Sequence, residues 1–173
     1  MTRERRSYRH FALPMACAAF ITTGLATATA LAGASGALGA LSPAAAARGV
    51  VDNELAGDWP ASCPYFRPNF YAICLQASSK LDAEHFRLHG SVAVRGTVTQ
   101  NTRALVEITG HICPPPSAGP CQSSEKPKLG MPGPTRSFAA AYSAAANPNS
   151  NAFSPIPCVQ VAGRWYVDAA PPS

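Results

Sequence analysis

Ser91-Val-Ala-Val-Arg-Gly-Thr-Val-Thr-Gln-Asn-Thr-Arg-Ala-Leu-Val-Glu-Ile-Thr-Gly-His-Ile-Cys113 is the stretch whose reading decides the fold. Val92, Val94 and Val98 share one parity before the polar break Gln100-Asn101-Thr102, and Ala104, Val106, Ile108 and Ile112 share it afterwards. Alternation of this kind marks strands buried on one face. Keeping both sets on that face requires a turn of odd length, because a slip of one residue turns a strand inside out. A three-residue loop centred on Asn101 pairs Val98 with Ala104 and Val94 with Ile108, and sets Arg95 opposite Glu107. A five-residue loop stays open, because Thr102 suits a left-handed position poorly.

The chain begins with Arg3, Arg5, Arg6 and Arg9 against Glu4, followed by an uncharged run from Phe11 to Ala47. A basic head, an apolar body and the small-residue end Ser42-Pro43-Ala44-Ala45-Ala46-Ala47 predict an export signal over 1–47, cut after Ala46 or Ala47. An uncleaved anchor is the rival, since a run this long can cross a bilayer core of roughly 30 Å. Arg5-Arg6 faintly resembles a twin-arginine signal, and Leu13-Pro14-Met15-Ala16-Cys17 imitates a lipoprotein box with a misplaced proline. Ordinary secretion fits better than either. The domain would then lie outside the cytoplasm, touching a membrane only if the leader stays attached.

The head accounts for four of 14 basic and one of 9 acidic side chains, so the rest of the chain is nearly neutral. That excludes the electrostatic footprint of a nucleic-acid binder. After a tether over 48–55, one domain is expected at 56–170. Asp58 caps a helix with Pro60 in its first turn and Pro68 at its end, and Asn69 caps a second helix. Trp59, Cys63 and Phe66 form one apolar face, and Phe70, Ile73, Cys74 and Ala77 the other. Ser79 and Asp82 resemble a capping box for one further turn. Residues 114–135, with seven prolines and no periodicity, predict an exposed loop. Phe138 to Ala146 suits either helix or strand. Val159, Val161, Trp165 and Val167 alternate about Gly163, predicting a closing hairpin in which Val161 faces Trp165 and Val159 faces Val167. The fold class is therefore α+β, short N-terminal helices packed on a curved antiparallel sheet behind an export signal.

Gly163-Arg-Trp-Tyr-Val-Asp168, the spaced Cys63 and Cys74, the strand end Gly110-His-Ile-Cys113 and Pro157-Cys158 resemble small exported actinobacterial proteins of the nuclear-transport-factor-2-like, cone-shaped class. The resemblance covers about residues 56–168 and implies a curved sheet wrapped around a pocket. Enzymes of that class use an inward Asp or His as general base, yet the predicted inward set is apolar: Val94, Val106, Ile108, Val161 and Trp165 stand at its centre. Glu107 and His111 lie on the outward parity. Asp58, Asp82 and His85 are the inward candidates from the helical region. His85, His89 and Asp82 have a metal-site spacing, but the metalloprotease signature needs Glu where Phe86 stands. Nothing in the pattern calls for a metal or a cofactor.

Five cysteines follow the leader, and an oxidising compartment would pair four of them. Cys63 with Cys74 joins the two helices, and Cys113 with Cys121 closes the proline loop, leaving Cys158; the rival is Cys113 with Cys158. Three functions are compatible with these residues. One is a non-catalytic secreted or envelope domain that binds a protein or cell-wall partner. Another is a carrier or sensor of a small apolar ligand. The third is an isomerase-like or hydrolytic enzyme using Asp82 or His85.

Overall fold

The computed structural model describes residues 36–124, 131–147 and 153–169. The leader up to Ser35, Lys126 and Lys128 in the proline-rich segment, and the turn at 148–152 lie outside the described residues. The first helix, α1 (Pro43–Ala56), begins where the leader was expected to end. Ser42 caps it by accepting from the Ala45 N–H, Pro43 takes a first-turn place that needs no N–H, and Gly57 closes it at φ 76°. The expected tether is thus a correction: 48–55 belongs to a helix, anchored because Ala46, Ala47 and Val50 are buried.

Asp58 caps α2 (Trp59–Ser62) as expected, through the Ala61 N–H. Single 3-10 turns at Cys63–Tyr65 and Pro68–Phe70 lead into α3 (Tyr71–Ala83). Asn69 caps nothing, and Ser79 lies inside α3, where its hydroxyl donates to the Leu75 carbonyl. Cys74 and Ser78 form the buried face of α3, while Ile73 is exposed. The Cys63–Cys74 disulfide ties this face to the preceding turn.

The sheet is antiparallel throughout. Its order is β1 (His89–Gln100), β2 (Arg103–Cys113), β4 (Ile156–Val161), β5 (Arg164–Val167), and β3 (Gln122–Ser124) shares the β4 edge of β2. The proline-rich segment therefore holds a strand and a 3-10 turn at Pro116–Ala118, and Cys113 is bonded to Cys121 across it. Among the described residues Cys158 is the free cysteine, and it is buried.

Both hairpins depart from the expected register for one reason. Each turns in two residues instead of three. In the first, Asn101 adopts φ 55° and Gln100 pairs with Arg103, so Val98 meets Leu105, not Ala104. A bulge at Arg95 restores Val94 opposite Ile108 and puts Gly96, not Arg95, opposite Glu107. Arg95 instead donates to Thr109 Oγ1 at 3.0 Å. Ala162 (φ 49°) and Gly163 (φ 78°) make the second turn, a tight form suited to the twist of paired strands. Trp165 then pairs with Gln160, Val159 with Tyr166 and Cys158 with Val167. Trp165 is buried all the same, but Val161 is exposed at 37%, which corrects its expected place in the core.

The slip divides the apolar residues between two faces. Ala46, Ala47 and Val50 of α1 pack with Ala104, Val106, Cys158, Trp165 and Val167 on one face. Leu105 points the other way and is covered by Ala141, Tyr142 and Ala145 of α4 (Phe138–Ala145), whose N-cap is Ser137. Helix is thus the outcome for the ambiguous 138–146 segment.

Leu105→Ala should cost about 2–5 kcal/mol through the cavity it leaves, whereas Val98→Thr should stay within about 0.5 kcal/mol. Equilibrium urea unfolding measures both, and the reverse ranking would contradict the bulged register. Alkylating the unreduced domain gives a second check. Cys158 should resist label while folded and take it fully in denaturant, with Cys63, Cys74, Cys113 and Cys121 unlabelled in both.

Candidate functional site

Between the C-terminal half of α1 and the sheet lies a cavity of about 450 Å³. Val50, Val51 and Leu55 of α1 form its roof, Trp59, Phe86 and Leu88 one side, and Ile108, Ile112 and Ile156 the sheet side. The volume and apolar lining are those of a small-ligand pocket. Two lining residues are polar, Glu54 and Gln122.

Glu54 follows Val50 by four positions and Val51 by three, so the helix carries it onto the same inward face. Among the described residues its carboxyl has no ion pair and no hydrogen bond. The side chain keeps some solvent access because it fronts an open cavity, but apolar groups crowd it. That crowding governs the cost of charge. Desolvation pushes the carboxyl up to about 8, so at neutral pH it is mostly a protonated acid with one O–H to donate.

The expected inward candidates lie elsewhere. Asp58 is exposed and occupied as the α2 cap. Asp82 pairs with Arg87 at 3.2 Å. His85 is exposed in the turn after α3 at φ 51°, and His89 is exposed at the start of β1. None of the four lines the cavity, and among the described residues no three metal-ligating side chains gather. Of the predicted apolar set, Ile108 lines the cavity, Val106 and Trp165 are buried in the adjoining core, Val94 packs against that core, and Val161 lies outside it.

A second, polar concavity of about 690 Å³ lies on the outer side of the first hairpin and includes Ser91, Arg95, Thr109 and His111. Ser91 Oγ stands 3.4 Å from His111 Nδ1, but both residues are exposed, so no burial aligns or activates the pair. Cys158 is no nucleophile either. Burial first, and then the Asp168 charge, push its thiol up to about 12, leaving it protonated and inert. Tyr142 donates to Asp168 Oδ2 at 2.7 Å and lies 3.1 Å from the Cys158 carbonyl. Asp168 also accepts from Arg67 at 2.9 Å, so this network ties the chain end to the α2–α3 turn.

Glu54 was not among the residues singled out from sequence. The signal was present in Ser42-Pro43 as a helix start and in Ala46, Ala47, Val50, Val51, Glu54 and Leu55 as one helical stripe. Reading the alanine run as a cut site concealed it.

A carboxyl raised by burial keeps its proton in the folded chain after the unfolded chain has released it. Folding stability should therefore fall as pH rises from the ordinary value of 4.5 to about 8, and level off above that. The slope is bounded by roughly 1.4 kcal/mol per pH unit. Glu54→Gln should remove this decline and be the more stable form at pH 8. Thermal unfolding of both proteins from pH 5 to 9 reads it, and parallel curves would show that Glu54 is not held neutral.

No family model matches the chain, and comparison with curated proteins and with solved structures finds no match.

Proposed function

We propose that this is an extracytoplasmic, non-catalytic binding domain that carries or senses a small apolar ligand in the cavity beneath α1. One observation carries the reading: an apolar cavity whose wall holds a single unpaired carboxyl, Glu54. A plain core would place Leu or Met there, since crowding a carboxyl with apolar groups costs stability. A ligand with one carbonyl or hydroxyl oxygen would accept the Glu54 proton and bury the remainder of its surface against Val51, Leu55, Trp59 and Ile108. Two disulfides fit an oxidising compartment. No helix among the described residues is long and apolar enough to cross a membrane.

Proton transfer by Glu54 is the second reading, favoured by a carboxyl titrating near neutrality. Among the described residues of the cavity lining, Gln122 offers the one side-chain amide to stabilise a developing charge, so binding accounts for more of the site.

Nile red, a neutral apolar dye with one carbonyl, tests the binding reading by fluorescence titration. Saturable one-to-one binding is expected for the native domain, with a loss of at least about tenfold in Leu55→Trp, which fills the cavity. Equal affinity in a Leu55→Trp protein of unchanged circular dichroism would sink the assignment.

A further inference from the structure

The alanine run that reads as the end of the leader is part of the folded core. Ala46 and Ala47 have no solvent exposure, and Ala40 is 8% exposed. Upstream, Ala40 exchanges two backbone hydrogen bonds with Trp165, both 2.8 Å, on the edge of β5 away from β4. The Gly39 N–H donates to the Pro64 carbonyl at 3.1 Å. Gly36 and Gly39 lie so close to the rings of Tyr71 and Tyr166 that a side chain at either would collide.

A cut after Ala46 or Ala47 would undo all of this. It would remove the Ser42 cap, the Ala40–Trp165 pair and the alanines that cover Val106 and Cys158. Cutting after Ala46 would also place a new ammonium on Ala47, at a position without solvent. A positive charge there meets both a burial penalty and the unfavourable end of the helix dipole.

We infer that the processing site lies upstream of Gly36, and that residues 36–47 stay in the mature protein as an edge segment and the first turn of α1. The sequence offers small residues at the first and third positions before a cut after Ala34 (Ala32-Gly33-Ala34) and after Ala32 (Ala30-Leu31-Ala32). The cut after Ala34 leaves Ser35 as the first residue, next to the first glycine packed on the fold. The inference rests on the export reading and is independent of the ligand.

The full chain, produced in an exporting bacterial host, is collected from outside the cytoplasm and its intact mass is measured. A start between Leu31 and Gly36 is expected. Ala32→Phe, which spoils both cuts at once, should lose the mature form and accumulate precursor. Ala44→Lys with Ala45→Lys, which spoils only the later cuts, should leave the same mature start. A mature chain beginning at Ala47 or Arg48, or anywhere outside Leu31–Gly36, overturns the inference. So does a precursor left whole; found inside the cell, it would sink the export reading itself.

Discussion

Seating α1 on the sheet is the contact on which the rest of the structure depends. Ala46 and Ala47 carry almost no side chain, so the helix comes close to Val106, Cys158 and Trp165 at its N-terminal end. Its C-terminal half, from Val50 to Leu55, stands over the cavity. One helix thus closes the core at one end and roofs a pocket at the other. Glu54 occupies the second region. In close-packed surroundings its carboxyl would be trapped against atoms that cannot answer it; over a void it stays neutral and remains available to whatever enters.

Much of the fold was legible in the sequence because strands announce themselves by parity. Val94 opposite Ile108, the buried Trp165 and the Asp58 cap all follow from local pattern and local chemistry. Parity alone does not give turn length. An odd loop keeps two alternating strands in phase, but so does an even turn combined with a bulge, and the chain uses the second device at Arg95. In the last hairpin no bulge follows the two-residue turn, so Val159 and Val161 fall on the face opposite Trp165 and Val167. Parity also hides the burial of Leu105. On the opposite parity from Val106, it reads as solvent-facing until α4 is found to cover that side.

The site was less legible than the fold. Two meanings compete for an alanine-rich stretch, a processing signal and a helix that packs closely, and composition supports both. What separates them is tertiary: whether Trp165 and Val106 need those methyl groups. Asp82 and His85 attracted attention because they are ionisable and evenly spaced, yet Asp82 is satisfied by Arg87 and His85 sits in water. Ionisable groups with partners or solvent are ordinary. The informative one has no partner and an apolar surround, and only three-dimensional structure reveals that.

An unpaired carboxyl crowded by apolar groups burdens a small domain. Held neutral against a shift from 4.5 to about 8, it opposes folding above that range by several kcal/mol, a large fraction of the roughly 5–15 kcal/mol typical of whole domains. The two disulfides act in the other direction. They close chain separations of 11 and 8 residues, each contributing about 2–3 kcal/mol in the chain-entropy view. Neither bonded pair lines the cavity, though Pro114 and Gln122, which do, adjoin Cys113 and Cys121. The crosslinks therefore stabilise the frame around a site that is itself destabilising, and leave the Glu54 wall free of covalent constraint. On the proposed binding reading, a braced scaffold with one desolvated polar group at its pocket suits a ligand site better than a plain core.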